Sequence, residues 1–415
     1  MKAIFVHSAR FLCSPQGTVF SSGQFPYEGW ERYLKHFDEL TVICRMSFGA
    51  QVPTTWNKSS GPRVSFVGTP DDHGRRLMQL DNRLKVKIIR QQLTDADAVI
   101  VRQSSLGFLA AQEAQREGIP WAVEVVSDAW DAYWNYGSPA GKLYAPVALL
   151  KSRYWISRAK FAIYVTRDYL QRQYPCKNMT CGASNVQIDP VPGTVLEQRI
   201  LRRDPGQATA ATAPVIGMIG SLFHRYKGLH IALRALRRLQ DRGLRPQLRV
   251  LGSGPVDNWR REAEQLSVAE LFFLEGSLPS GKPVGEWLDR LDMYIQPSFQ
   301  EGLPRAMIEA MSRGLPALGS TCGGIPELLP AECLHRPGDD TTLAQQLERM
   351  IKDNAWRQEQ ARRNFNEAKL YYSDVVEAKR DAFWRQFWEY AKAKVRPGAA
   401  VEKLSAAGPR QGEMM

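Results

Sequence analysis

The chain has 415 residues, of which 44% are hydrophobic, and its formal net charge is +12. This length is too great for one typical domain and fits two domains of roughly 200 residues each. The positive charge predicts an anionic partner, such as nucleic acid, an acidic membrane face or a phosphorylated substrate. Because no nucleic-acid motif accompanies the charge, we favour a membrane and a nucleotide over nucleic acid.

The sequence argues against a membrane-spanning or zinc-binding protein. No run of about 18 apolar residues occurs, so no transmembrane helix is expected, and the N-terminus begins a strand pattern without a secretory signal. The six cysteines form no Cys-x-x-Cys pair and no Cys/His cluster. We therefore expect reduced thiols in a cytoplasmic protein and no metal site.

The composition along the chain predicts two α/β domains joined by a linker. The linker is polar, rich in small residues and flanked by proline. The predicted boundaries are 1–200 for the first domain, 201–214 for the linker, 215–375 for the second domain, 376–397 for a C-terminal helix and 398–415 for a disordered tail.

The first domain is predicted to be Rossmann-like. Residues 2–7 form an apolar strand pattern, a loop containing Gly23 follows, and apolar residues at helical spacing precede a second strand at 40–44. A strand, a loop, a helix and a strand in this order form a right-handed βαβ unit. Further strands are predicted at residues 63–68, 98–102, 121–126 and 161–166, with a basic helix at 75–93.

Two aspartates follow the strand predicted at residues 121–126. Either Asp128 or Asp131 would be able to accept the proton of an acceptor hydroxyl, and we select Asp128 as the candidate catalytic residue. The alternative is that either aspartate caps a helix or a turn, which is an equally common use of this side chain.

Residues 142–160 combine aliphatic, aromatic and basic residues in a helical pattern. Such a composition suits a helix that lies on an anionic bilayer. The alternative is the commoner one, in which an amphipathic helix packs against its own sheet.

The loop after the strand predicted at residues 215–219 is suited to a diphosphate. Gly220 and Gly228 at its two ends let the backbone approach a ligand, while Arg225 and Lys227 supply positive charge. Short strands at 247–251 and 271–274 lead into further loops of the same parallel sheet, which we expect to line one crevice.

The stretch of residues 296–329 contains the most informative pattern. A helix is predicted to begin at Pro304 and to end before Gly314, because proline suits a first helical turn and glycine a left-handed cap. Free N–H groups at the helix start suit a phosphate, whereas Glu301 and Glu309 suit neutral hydroxyls. The pattern predicts a nucleotide that bears a second polyol. The alternative is an ordinary solvated helix with two surface glutamates.

With Glu301-Gly302 before the helix and Gly323-Gly324-Ile325-Pro326-Glu327 after the next strand, this stretch resembles the C-terminal signature of family 4 glycosyltransferases. The resemblance implies the GT-B fold, in which two Rossmann-like domains face each other across a cleft. It also implies that Glu301 faces the donor sugar and that Glu309 holds the ribose.

The same resemblance implies roles in the donor site for other residues of the second domain. The family usually has arginine where this chain has Ser221, so Arg225 is the candidate replacement, whereas Lys227 and Gly228 are kept. Residues around the helix start and in the loop after 271–274 complete the expected donor site: Gly302, Leu303, Gly276, Ser277 and Leu278.

The first domain departs from the family pattern. No histidine is found at residues 126–128, where many members have one. In the family, the loop that matches the one containing Gly23 lies over the cleft near the donor and the acceptor, so Gly23 is a candidate for that position only. The last helices of such proteins cross back to the first domain, which is the expectation for residues 376–397.

The implied activity is that of a retaining, metal-independent glycosyltransferase of the hexosyltransferase type without a cofactor. Its donor would be a nucleotide-diphosphate sugar, with UDP preferred to GDP. Its acceptor would be a glycan or a polyprenyl-linked saccharide of bacterial surface polysaccharide, reached at the inner face of the membrane. The alternatives are a sugar-nucleotide epimerase of the same fold and a non-catalytic binder of nucleotide sugars or nucleic acid.

Overall fold

A computed structural model of the chain describes residues 1–22, 25–53, 56–70, 82–135, 137–186, 188–201 and 213–394. Gly23, most of the predicted linker and the predicted tail lie outside the described residues, as does the start of the basic helix predicted at 75–93. None of the helices in the described part of the chain combines the length and the apolar composition that spanning a bilayer requires.

Nine of the described strands form one sheet in the first half of the chain: β1 Lys2–Cys13, β2 Val19–Ser21, β3 Glu39–Phe48, β4 Asn57–Lys58, β5 Val64–Thr69, β6 Ala98–Arg102, β7 Trp121–Val125, β8 Phe161–Tyr164 and β9 Met179–Gly182. Seven of them run parallel in the order β5-β3-β1-β6-β7-β8-β9. Strands such as β6 and β7 are buried almost throughout, because helices cover both faces of a parallel sheet.

The first strand is longer than the sequence predicts. It continues past His7 to Cys13, and its register against β3 shifts between Val6 and Arg10. Beyond the shift, Phe11 is buried and β2 pairs antiparallel with the strand. The short strands β2, β4 and β9 lack a long apolar run, so the sequence pattern missed them.

The helices of the first half connect these strands or follow them: α1 Glu28–Leu34, α2 Arg83–Leu93, α3 Ser105–Arg116, α4 Ala129–Trp134, α5 Pro139–Ile156, α6 Tyr169–Gln173 and α7 Gly193–Ile200. Side chains before α3 and α5 satisfy free N–H groups of the first turn. Ser104 accepts from Gly107 N and Ser138 accepts from Gly141 N.

The second half contains a sheet of six parallel strands: β10 Val215–Ile219, β11 Gln247–Leu251, β12 Phe272–Leu274, β13 Met293–Gln296, β14 Ala317–Ser320 and β15 Leu334–His335. Their order is β12-β11-β10-β13-β14-β15, so the chain reverses direction across the sheet between β10 and β13. Such a reversal opens a crevice at the carboxyl ends of the two central strands. The helices are α8 Leu229–Asp241, α9 Asp257–Gln265, α10 Lys282–Asp289, α11 Arg305–Ser312, α12 Asp340–Lys352 and α13 Asn354–Ala368.

The last helix, α14 Ser373–Lys394, lies against the first half of the chain. The ring centroids of Tyr33 and Trp384 are 5.1 Å apart, and those of Phe161 and Phe387 are 5.4 Å apart. Arg380 donates to the carbonyl oxygens of Ala183 and Ser184. The last described helix of the chain therefore packs on the first lobe.

Candidate active site

Two predicted site residues meet where the second sheet reverses direction. Lys227 ends the loop after β10, and Glu301 lies in the loop after β13. Since β10 and β13 are neighbours, both loops emerge at the same edge of the sheet. Lys227 Nζ lies 2.7 Å from Glu301 Oε1.

The same oxygen of Glu301 receives further hydrogen bonds from β13 and its loop. Ser298 Oγ donates to Oε1 at 2.7 Å and Gln296 Nε2 at 3.1 Å, while Tyr294 OH donates to Gln296 Oε1 at 2.7 Å. The donors to Glu301, which are Lys227, Ser298 and Gln296, all reach its Oε1. Among the described residues, Oε2 has no hydrogen-bond donor, so it is available to a hydroxyl group of a ligand.

Lys227 remains positively charged at neutral pH. Burial opposes the charged form of its amine, but the charge of Glu301 and the hydrogen bond to it outweigh burial and raise the pKa of Lys227. Within the described ranges, no group of three or more His, Cys, Asp or Glu side chains is arranged to hold a metal ion. The lysine thus supplies local positive charge to this crevice.

Gly228 allows the two loops to come together. Its φ of +79° lies in the left-handed region, which L side chains rarely adopt. A Cβ atom there would also overlap the carbonyl oxygen of Pro297 in the loop after β13. Glycine at this position therefore places the lysine beside Glu301.

Glu309 lies in α11, which begins at Arg305, so Pro304 is the N-cap rather than part of the first turn. The side chain is half-buried, and burial raises its pKa although the charge of Arg305 opposes the shift. Its carboxyl group accepts no hydrogen bond from another described residue. The carboxyl group of Glu309 can therefore accept hydrogen bonds from hydroxyl groups of a ligand.

Arg225 is paired with a carboxylate other than Glu301. Its guanidinium makes a two-point contact with Glu262 of α9, with N–O distances of 2.8 and 2.9 Å, and lies over the ring of Trp259. Ser221 Oγ accepts from Phe223 N at 3.3 Å. The sequence did not suggest the Glu262 contact, because it depends on how α9 packs beside the loop.

The remaining predicted residues border the crevice or lie beneath it. Gly276 has a φ of +73°, and its carbonyl oxygen accepts from Gly252 N at 2.6 Å, so the loops after β11 and β12 are joined. Ser277 and Leu278 are exposed, whereas Leu303 is buried. The loops after β10, β11, β12 and β13 thus share one edge of the sheet.

The structure shows Asp128 in the alternative role of a helix cap. This residue is buried and caps α4, where its Oδ1 accepts from the N–H groups of Trp130 and Asp131. Tyr174 OH also donates to Oδ1 at 2.7 Å, and Tyr169 OH donates to Oδ2 at 2.8 Å. Both carboxylate oxygens therefore accept hydrogen bonds within the protein, which favours the capping role over the proton-accepting role predicted for Asp128.

The other candidate, Asp131, lies between the lobes. Its Oδ2 is 4.0 Å from Cys322 Sγ in the loop after β14. Burial, reinforced by the charge of Asp128, raises the pKa of Asp131 to about 7. A carboxyl group with this pKa exchanges a proton readily at neutral pH.

The two lobes approach each other closely beside Glu301. Asn135 Nδ2, at the end of α4, donates to Phe299 O at 3.0 Å. A Cβ atom on Gly302 would overlap the carbonyl oxygen of Val126 at the end of β7. The strand end predicted to serve an acceptor therefore faces the loop predicted to hold the donor.

Glu327 joins the lobes, a role that the sequence did not reveal. Its carboxylate accepts from the backbone N–H groups of Arg167 at 2.7 Å, Asp168 at 3.1 Å and Tyr169 at 2.6 Å. These groups form the start of α6 in the first lobe. The glutamate of the Gly-Gly-Ile-Pro-Glu motif therefore caps a helix across the cleft.

Comparisons with known proteins agree with this architecture. The sequence profile described as "Glycosyl transferases group 1" matches residues 213–353. Protein CapJ of Staphylococcus aureus is 30% identical over 384 residues, which cover 92% of this chain and 94% of that protein. The putative colanic acid biosynthesis glycosyltransferase WcaL of Escherichia coli (strain K12) is 36% identical over 131 residues, which cover 29% of this chain and 32% of WcaL.

Solved structures share the fold at low sequence identity. HepE of Anabaena, crystallised in complex with UDP-glucose, has a TM-score of 0.63 and 17% identity over 95% of this chain and 100% of its own. This likeness supports two Rossmann-like lobes facing each other across a cleft, the arrangement predicted from the sequence.

Proposed function

We propose a donor, an acceptor and a stereochemical course for this chain, which belongs to the group 1 glycosyltransferase family and is a glycosyltransferase of the GT-B fold. The donor is a nucleotide-diphosphate sugar, with UDP preferred to GDP. The UDP-glucose complex of HepE supports a nucleotide-sugar donor and this preference. The cleft contact between Lys227 and Glu301 is the observation that carries the proposal.

Each predicted donor residue has a role that its chemistry allows. The ammonium group of Lys227 binds the diphosphate, and the loop of Gly302 and Leu303 presents backbone N–H groups to it. Oε2 of Glu301 accepts from hydroxyls of the donor sugar, and Glu309 accepts from the ribose. The Gly276–Leu278 loop contacts the base, and the Gly220–Gly228 loop surrounds the diphosphate.

Arg225 is the second cation of the proposed site. It reaches the diphosphate only after leaving Glu262, because its guanidinium is engaged by that carboxylate at both ends. The hydrogen bond from Arg225 lowers the pKa of Glu262, so this carboxylate stays charged and competes with the donor at neutral pH.

The transfer retains the configuration of the sugar. The acceptor oxygen attacks the anomeric carbon on the face from which the diphosphate leaves, and the bond from that carbon to the phosphate oxygen breaks. The proton of the acceptor hydroxyl passes to the leaving phosphate. Lys227 stabilises the charge that develops there, and Asp131 orients the acceptor hydroxyl from the first lobe.

The acceptor is a glycan or a polyprenyl-linked saccharide of a bacterial surface polysaccharide. The description of WcaL as a putative colanic acid biosynthesis glycosyltransferase supports this class. We place the reaction at the cytoplasmic face of the membrane, where the net charge of +12 favours peripheral contact with anionic lipid.

Titration of UDP into Lys227→Ala tests the donor site. The loss of a charge-assisted hydrogen bond to phosphate should weaken binding by about tenfold or more. Lys352→Ala is the matched control, because Lys352 also lies 2.7 Å from a glutamate, Glu348 of α12. Equal UDP affinity in the wild type and Lys227→Ala would reject the proposed site.

A further inference from the structure

Helix α5 has two apolar faces, only one of which the fold buries. The buried face consists mainly of small residues: Gly141, Ala145, Ala148, Ser152 and Ile156. On the opposite face the side chains are largely exposed: Leu143 at 81%, Val147 at 51%, Leu150 at 65% and Tyr154 at 49%. Both sets follow the spacing of a single helix face. The two alternatives that the sequence left open for this segment therefore apply to different sides of one helix.

The charged residues of the segment that contains α5 are all positive. No acidic residue occurs between Asp131 and Asp168. Four exposed cations lie on α5 or just after it: Lys142, Arg153, Arg158 and Lys160. None of the four forms an ion pair with a described carboxylate. Their charge is therefore available to an anionic partner.

Other contacts of these cations leave their charge unneutralised. Arg153 donates to the backbone and side-chain oxygens of Gln173, and the Arg158 guanidinium lies 3.6 Å from the ring centroid of Tyr154. Lys142 Nζ lies 5.7 Å from the ring centroid of Trp134, which is itself partly exposed. Cations and aromatic rings beside an apolar stripe form a surface suited to the headgroup region of a bilayer.

Helix α4 connects the exposed apolar face of α5, the stripe of Leu143, Val147, Leu150 and Tyr154, to the cleft. This helix starts at Asp128, just after β7, and its C-terminal Asn135 contacts Phe299 of the opposite lobe. The rings of Tyr133 in α4 and Tyr144 in α5 pack edge to face, with centroids 4.8 Å apart. The same pair of helices therefore borders the proposed acceptor side and carries the exposed stripe.

We propose that the exposed face of α5 inserts into the headgroup region of an anionic bilayer and orients the cleft towards lipid-linked acceptors. The apolar side chains enter the boundary between headgroups and acyl chains, while the four cations contact lipid phosphates. The choice of acceptor rests on the proposed function, whereas the docking of the helix does not.

Flotation of the full chain with vesicles tests this docking. The wild type should float with vesicles of phosphatidylcholine and phosphatidylglycerol and much less with phosphatidylcholine alone. Leu143→Gln/Leu150→Gln should reduce partitioning by about tenfold for each leucine, since burial of a leucine stabilises insertion. Leu201→Gln/Leu370→Gln, which alters two exposed leucines elsewhere, should float like the wild type.

Three results would overturn the docking proposal. The wild type would fail to float with anionic vesicles, or the α5 variant would float unchanged. The third result is a lipid-free dimer of the wild type that becomes monomeric in the α5 variant, which would assign the stripe to a second copy of the chain. Thermal shift with UDP separates this proposal from the donor site. The α5 variant should bind UDP normally, while Lys227→Ala should float normally.

Discussion

Glu301 receives its contacts on a single carboxylate oxygen, with Lys227 Nζ and Ser298 Oγ each 2.7 Å from Oε1. Replacement by an amide of the same shape removes the negative charge that holds the lysine and repels a diphosphate. We expect Glu301→Gln to bind UDP at least as tightly as the wild type. Transfer from a UDP-sugar should fall by about tenfold or more, because the amide accepts weaker hydrogen bonds from the sugar.

Calorimetric titration with UDP and a transfer assay measure these two effects of Glu301→Gln separately. Glu348→Gln is the matched control, since it removes the carboxylate of the Lys352–Glu348 contact on α12. Both readouts should stay unchanged in the control. Loss of UDP affinity in Glu301→Gln would contradict a role confined to the donor sugar.

Asp131 provides a pH-dependent test at a single residue. Its pKa of about 7 is raised by burial and by the charge of Asp128. Between about pH 4 and pH 7 the folded chain keeps a proton that the unfolded chain releases, so this group lowers stability as the pH rises through that window. Asp131→Asn should therefore raise the melting temperature at about pH 8 and change it little at about pH 4.

Melting scans of Asp131→Asn and Asp128→Asn at both pH values make the comparison. Asp128 accepts from two backbone N–H groups and two tyrosine hydroxyls, so its replacement should lower stability at both values. A stabilisation of Asp131→Asn that did not vary with pH would disprove the assigned titration.

The sequence predicted candidate site residues but not the contacts between them. Lys227 and Glu301 are 74 residues apart, and their contact depends on the pairing of β10 with β13. Asp128 and Asp131 are equivalent candidates in the sequence. In the structure, the hydroxyl groups of Tyr169 in α6 and of Tyr174 just after it donate hydrogen bonds to Asp128.

At the scale of elements, the contact between the Gly-Gly-Ile-Pro-Glu loop and the start of α6 depends on the side chain of Glu327. Glu327 accepts from the N–H groups of Arg167, Asp168 and Tyr169 at the start of α6. Glu327→Ala should lower the free energy of unfolding by about 1–2 kcal/mol, since the helix start loses its acceptor. The midpoint of urea unfolding measures the change.

Glu332 offers a control for that substitution. It lies in the next short helical turn, and its side chain is exposed. Glu332→Ala should therefore change the urea midpoint very little. Equal midpoints for the two variants would mean that the helix cap across the cleft contributes nothing.

Strands were the elements that the sequence predicted best. The pattern predicted a strand at residues 98–102, and β6 has the same bounds, because a parallel strand covered on both faces is apolar throughout. In the continuation of β1 past His7 only Phe11 is buried, so the apolar signal there is weaker. Helix α6 has only five residues and is held by tertiary contacts, so periodicity does not reveal its role.

At the scale of the molecule, the order of the motifs in the sequence predicted the two-lobed fold. The packing of α14 on the first lobe depends on a buried charge network. Glu124 and Arg380 are each 2% exposed in the side chain, with 3.6 Å between them, and Glu124 also contacts Arg102 and Tyr33. Burial would raise the pKa of Glu124, but the charges of Arg102 and Arg380 outweigh burial and lower this pKa to about 2. Sequence pattern alone did not place these groups together, because they come from four elements, α1, β6, β7 and α14.

Arg380→Met should therefore destabilise the whole protein. The substitution leaves Glu124 with fewer partners and removes the donors to Ala183 O and Ser184 O, which should lower the free energy of unfolding by about 3–5 kcal/mol at neutral pH. Because the pKa of Glu124 is lowered in the folded state, its contribution is present above about pH 4.5 and disappears as the pH falls towards 2, so the deficit of the variant should shrink in acid. Arg385→Met, an exposed position of the same helix, should unfold like the wild type. A similar small loss in both variants, measured by urea unfolding across this pH range, would show that α14 is held by its aromatic contacts alone.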